Sequence, residues 1–184
     1  AQLDNQLTCF LVPRWDANDK PNRMHLQRLK DKVGNRSNGS SEIEYHGAFA
    51  QQLGETGRGV PTIIEMVTHT RLDCVVASAS NMRLAAAHAI HHAQHRKAFG
   101  QSLFEQPIMR SVLADLSLES MAATAMAFEI TNTYEVGKTD PSQLPFARLC
   151  TAIGKYWVCK RAPVAVTEAM ECHGGNGFVN PHLM

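Results

Sequence analysis

Apolar and polar residues alternate with a short period in the first third of the chain and with a longer one after it. Leu7-Thr8-Cys9-Phe10-Leu11-Val12 is a brief β-prone run closed by Pro13, with the length and composition of a buried strand. Residues 24–29 alternate imperfectly and Glu42-Ile43-Glu44-Tyr45 alternate cleanly, the pattern of a half-buried strand. Between them lies Gly34-Asn35-Arg36-Ser37-Asn38-Gly39-Ser40, rich in the small and polar residues that make turns. A small antiparallel sheet is the expected product.

Past the turn-rich Leu53-Gly54-Glu55-Thr56-Gly57-Arg58-Gly59 the period changes. From 60 to about 95 the chain is rich in Ala, Met and Leu with no proline after Pro61. This predicts one helix roughly 50 Å long at 1.5 Å per residue. Pro107 suits the first turn of a second helix. Its stripe of Ile108, Val112, Leu116, Ala123, Ala127, Ile130 and Tyr134 is interrupted by Glu119 and stopped by Gly137. After the Asp140-Pro141-Ser142 turn, Phe146, Leu149, Ile153, Tyr156, Trp157, Val164 and Met170 predict the apolar face of a third helix. Pro163 is expected to kink it, and Gly174-Gly175 to end it. Three long helices joined by short loops predict a mainly α fold: an antiparallel up-and-down bundle preceded by a few antiparallel strands. Such bundles ordinarily have a fourth member.

Composition narrows the picture. With 184 residues, 44% hydrophobic and 19% charged, the chain can bury an ordinary core. The net charge of +1 supplies no general attraction to nucleic acid, although Lys155, Lys160 and Arg161 make a local basic cluster that reads first as a solvated helix face. Cys9, Cys74, Cys150, Cys159 and Cys172 are odd in number and lack a CxxC pair, so they read as reduced, mostly packed thiols. The polar N-terminus has no signal-peptide pattern, and no apolar run reaches the ~20 residues of a membrane span. A cytoplasmic protein is expected.

Three groups of residues could carry chemistry. His88, His91, His92 and His95 share one helix face and could grip a metal. The Glu-x-x-His pairs of a bundle di-metal site are missing, so a solvated or interface stripe is favoured and no metal is expected. Arg96-Lys97-Ala98-Phe99-Gly100, followed by Leu103 and Gln106, sets a cation, an aromatic ring and a glycine at a helix end. That suits a phosphate with a flat ring attached, or equally a helix cap with Phe99 in the core. Glu171-Cys172-His173-Gly174-Gly175-Asn176-Gly177-Phe178 is either a glycine C-cap or a place where backbone amides approach a ligand.

Taken together, the helix ending in Arg96-Lys97-Ala98-Phe99-Gly100, the Leu103 beyond it and the distant Gly174-Gly175-Asn176-Gly177-Phe178 resemble the paired hallmarks of the acyl-CoA dehydrogenase C-terminal domain. The 53–59 run resembles that family's boundary between β-domain and first C-terminal helix. Residues 29–38, 66–73 and Cys159-Lys160-Arg161 look closest to the branch linked to the adaptive response to alkylation. The resemblance implies that residues 1–53 are the end of the middle β-domain and 54–184 an incomplete C-terminal helical domain. It implies an FAD-dependent α,β-dehydrogenation of an acyl-CoA, in which a glutamate takes the α-proton and the β-hydrogen leaves as hydride to the flavin.

The same resemblance implies residue roles. Arg96 would contact the FAD pyrophosphate across a subunit interface and Phe99 would pack on the adenosine. Gln106, Glu171, Gly174 and Gly175 would meet the same moiety, and Arg71 would lie near flavin and thioester. A homo-oligomer, dimer or tetramer, is implied, with an electron acceptor as a further partner. DNA is a partner associated with the alkylation-response branch, whose dehydrogenase activity would be weak. Two positions depart from the family pattern: Pro107 and Glu171 each stand where Gln is common. The region of the usual catalytic glutamate is expected to lie outside this sequence, so no glutamate here is assigned as base and the piece alone is expected to be inactive.

Overall fold

In the computed structural model, which describes residues 1–179, the first apolar run is split at Thr8. β1 (Gln2–Leu3) pairs antiparallel with β2 (Gln6–Leu7), and β3 (Cys9–Leu11) follows. Thr8 is buried; its hydroxyl donates to the Gln6 carbonyl and accepts from the Gly57 amide, each at 3.2 Å. β4 (Met24–Leu29) pairs with β5 (Ser41–Tyr45), and β3 pairs with β6 (Gln51–Leu53). The expected single sheet is instead a set of separate two-stranded ribbons. The strand expected to be buried is half open, with Leu7 and Leu11 exposed. A lone ribbon has no second layer to cover its faces. What organises these ribbons is a polar hub: buried Asn22 donates to the carbonyls of Pro13 and Phe49 at 2.8 Å and accepts from the Phe49 and Arg23 amides.

The chain divides into two compact units, Ala1–Met66 and Val67–Met184. The second is the helical bundle expected from the sequence, built on α1 (Gly59–His95) from Val67 onward, α2 (Pro107–Gly137) and α3 (Leu144–Glu171). Its direction is fixed by cross-helix contacts. Early in α1, the His69 ring lies 5.6 Å from Tyr134 near the end of α2, and the Tyr134 hydroxyl is 3.0 Å from that of Thr151 in α3. Ser78 Oγ lies 3.3 Å from Cys159 Sγ. The helices therefore run up, down and up. Helix α3 continues through Pro163, which has no N–H to give to the hydrogen-bond ladder.

Most of the apolar stripe expected on α3 faces outward, with Trp157 and Met170 half-buried. Phe146, Leu149, Ile153, Tyr156 and Val164 are exposed, and the buried line is Ala147, Thr151, Gly154, Val158, Ala162, Ala165 and Ala169. On α2, Ile108 is likewise 81% exposed, while Leu113 and Leu116 go inward. The matching face of α1 is Val75, Ala79, Met82, Ala86, Ala89 and Ala93. Small side chains let helix axes approach closely, so alanine and glycine make up much of the seam, with Met82, Leu113, Leu116, Ile130 and Val158 filling between them. At Gly154 an added Cβ would stand 2.6 Å from Ile130 Cδ1, well inside van der Waals contact. Glu119, the interruption in the α2 stripe, makes a bidentate pair with Arg161 of α3, one arm at 2.6 Å. Arg161 also stacks over Trp157 at 5.0 Å. No helix among the described residues is long and apolar enough to cross a membrane.

Candidate functional site

Helix α1 stops at His95 because the chain then folds back on itself. β7 (Lys97–Ala98) pairs with β8 (Gln101–Ser102), and Phe99 and Gly100 form the corner with φ of 54° and 82°. Positive φ at both central residues is the hairpin geometry that matches strand twist. Gly100 adopts it freely, whereas for a bulky residue it is a strained conformation. Phe99 is 97% exposed, so the helix-cap alternative with Phe99 in the core does not hold. The hairpin returns Leu103, whose amide donates to the Arg96 carbonyl at 2.9 Å. Ser102 and Glu105 then form a capping box, and the two hydrogen bonds from Ser102 hold the Glu105 carboxyl below its ordinary value.

At the far end of the bundle's third helix, Cys172 caps α3 and Gly174 turns the chain with φ of 59°. His173 then stacks on His92 of α1, ring centroids 4.7 Å apart and planes 28° from parallel. The Nδ1 of His173 sits 3.0 Å from the Ala169 carbonyl, which fixes its ring. Burial lowers the His92 pKa from its ordinary value, and the neighbouring His173, Arg96 and His91 add to the effect. Cys172 is buried behind this stack, and desolvation raises its thiol pKa.

These two ends enclose a cleft of about 320 Å³ lined by His92, Arg96, Glu171, His173, Gly174 and Gly175, among others. Of the residues expected at one site, Arg96, Glu171, Gly174 and Gly175 therefore meet. Gln106 is half-buried at the start of α2 and outside the lining. Phe99 stands on the hairpin tip, also outside it. Arg71 is exposed on α1, about 37 Å from Arg96 along the axis at 1.5 Å per residue. His173 belongs to the glycine run expected to offer backbone groups, whereas the stacking of its ring on His92 carries no signal in the local sequence beyond the histidine face on α1.

The glycines differ in what holds them. A Cβ at Gly174 or Gly175 would meet nothing within 4 Å, but at Gly177 it would strike the Met170 carbonyl. The chain's own packing thus explains Gly177 and leaves Gly175 unexplained. No group of three or more His, Cys, Asp or Glu able to hold a metal comes together among the described residues. The arrangement presents one guanidinium, backbone groups free of side chains and a ring pair, which is chemistry for a phosphate-bearing ligand.

Comparison with known proteins places this geometry. Residues 57–183 match the family model "Acyl-CoA dehydrogenase, C-terminal domain". AidB of Escherichia coli (strain K12) is 41% identical over 97% of this chain, which covers 33% of AidB. The crystal structure of Caenorhabditis elegans ACDH-11 in complex with C11-CoA superposes with a TM-score of 0.85 at 31% identity, over 92% of this chain and 29% of that one. An acyl-CoA dehydrogenase from Bacillus anthracis, complexed with FAD, shares the fold with a TM-score of 0.81 at 18% identity, over 97% of this chain and 33% of that one. The chain spans about a third of the length of these proteins. With its helical bundle matching over most of its length, the chain belongs to the acyl-CoA dehydrogenase family.

Proposed function

We propose that this chain forms the cofactor-clamping part of an FAD-dependent oxidoreductase that carries out α,β-dehydrogenation of an acyl-CoA thioester. The observation that carries the reading is the cleft that joins Arg96 at the end of α1 to the open Gly174-Gly175 turn after α3. The C11-CoA bound to the C. elegans relative supports an acyl-CoA substrate, and the FAD bound to the B. anthracis protein supports the cofactor.

The residues present fit FAD's pyrophosphate and adenosine portion. FAD, when bound, supplies the two-electron acceptor. The Arg96 guanidinium has no hydrogen-bond or ion-pair partner among the described residues and suits phosphate oxygens. Gly174 and Gly175 let backbone N–H groups come close because no side chain intervenes. Phe99 is held outward where it can lie on the adenosine. Glu171 only accepts when ionised, so its partner is a hydroxyl or amino group of that moiety and not a phosphate. Gln106 has an amide that can serve the same end.

Arg71 is assigned to the flavin and thioester end. Its distance from Arg96 fits an oligomer in which Arg96 reaches the FAD of a partner subunit. Residues 1–53 are assigned to the end of the middle β-domain and 54–184 to the helical domain, a division supported by the family match beginning at residue 57. A cytoplasmic location and an electron-acceptor partner go with this reading. DNA binding is less favoured, because Arg161 of the basic cluster is committed to Glu119 and Trp157, leaving Lys155 and Lys160.

The visible absorption spectrum of the full-length protein that contains this chain, before and after anaerobic addition of a short branched acyl-CoA, tests the proposal. Flavin bands that bleach are expected, with flavin content lost in Arg96→Ala. A colourless protein with no spectral response to the thioester would sink it.

A further inference from the structure

Four histidines line the last turns of α1, and one of them faces the cleft. His92 turns against His173 in the cleft, while His88, His91 and His95 are exposed. His91 and His95 are four residues apart and so lie one turn above another on the same face. Their ring centroids are 4.3 Å apart, with planes tilted by 31°. The Nδ1 of His95 sits 2.8 Å from the His91 carbonyl oxygen. A carbonyl oxygen only accepts, so Nδ1 carries the proton and the neutral ring keeps its lone pair on Nε2. A backbone carbonyl bound to the other ring nitrogen is the arrangement that fixes tautomer and orientation in metal-ligating histidines.

From these contacts we infer that His91 and His95 form a surface site for a divalent transition-metal ion of the class imidazole suits, Zn²⁺, Ni²⁺ or Cu²⁺. Two nitrogens on one such ion, each at about 2.0–2.1 Å, stand about 3 Å apart. The ring centroids are already 4.3 Å apart, and with His95 held by its Nδ1 contact the adjustment the site requires is rotation of the His91 ring. The site supplies two ligands, since no group of three or more forms among the described residues, and solvent takes the remaining positions. Mg²⁺ and Ca²⁺ are not its ions, because they select oxygen donors. The bridge ties together the final turn of α1, the turn from which Arg96 projects.

Titration calorimetry with Zn²⁺ near neutral pH, on the purified protein and its His91→Gln, His95→Gln and His88→Gln variants, tests the inference. One ion per chain is expected, with affinity lower by about tenfold or more in the first two variants and unchanged in His88→Gln. All three residues are exposed, so circular dichroism should report an intact helix in each variant. Copper EPR should show coupling to two nitrogens in the parent and not in His91→Gln. Unchanged Zn²⁺ affinity in a His91→Gln, His95→Gln double variant would overturn the site, and equal loss in His88→Gln would overturn its two-ligand assignment. The readout is metal alone, so the result is independent of whether the protein binds flavin.

Discussion

Gly175 and Gly177 sit two residues apart in the same turn under different constraints. At Gly177 the Met170 carbonyl leaves no room for a Cβ, whereas at Gly175 an added methyl would project into open space with φ in the ordinary range. Gly177→Ala should lower stability by about 1–3 kcal/mol through overpacking, read as a shifted denaturant midpoint. Gly175→Ala should leave the midpoint in place and reduce flavin content, because the methyl occupies space assigned to the cofactor; unchanged flavin content in Gly175→Ala would remove that assignment. His92 sets a pH dependence at the same spot. Its folded pKa is lowered, first by burial and then by the charges of His173, Arg96 and His91. The unfolded chain therefore takes up a proton as pH falls through the ordinary imidazole value of about 6.5, while the folded chain resists it. Stability should fall with decreasing pH from about 6.5 down to the lowered folded value and level off below it. Urea titrations across that window should show a shallower slope in His92→Gln, and an equal slope would mean that other groups carry the effect.

At the scale of the helices, the bundle is held by a seam of small residues. Ala162 and Ala165 on α3 and Ala123 and Ala127 on α2 are buried, while Ile153 and Tyr156 are more than half exposed. Close approach makes the core sensitive to added volume and indifferent to much of the bulk outside it. Ala162→Leu should cost about 1–3 kcal/mol, whereas Ile153→Ala in this chain should stay within about 0.5 kcal/mol. Chemical denaturation of the two variants checks this, and a larger cost for Ile153→Ala would show that the outward face is the packed one. The Arg161 guanidinium, set between Glu119 and Trp157, adds a polar clasp between α2 and α3 beside the apolar seam.

For the whole molecule, the outer face of α2 bears on how the clamp works. Leu118, Met121 and Phe128 are spaced along one side of the helix and are 64%, 67% and 73% exposed, opposite the core line of Leu116, Ala123, Ala127 and Ile130. If Arg96 serves the FAD of a partner subunit, association and flavin content must change together. Phe128→Glu should shift the protein to a smaller species in size-exclusion chromatography with light scattering and release flavin in parallel; full flavin content in a monomer would refute the shared site. The extent of each helix was legible in the chain itself. The long first helix ends where the Arg96 to Gly100 run begins, and Pro107 and Gly137 bound the second, because helical period, first-turn proline and terminal glycine act locally. The family resemblance was legible for the same reason, since the glycine turn and the Arg96 run are short and contiguous. Which face of each helix turns inward was not. Helix α3 carries bulky apolar residues on one side and small ones on another, and period alone cannot choose between them; the approach distance of the neighbouring helices selected the alanines. The exposure of Phe99 followed from a hairpin, and the His92 and His173 stack from two chain segments brought together only by the bundle. Local residue order thus determined the elements and their ends, and tertiary packing decided their inward faces and the cleft, because those depend on distances between segments far apart in sequence.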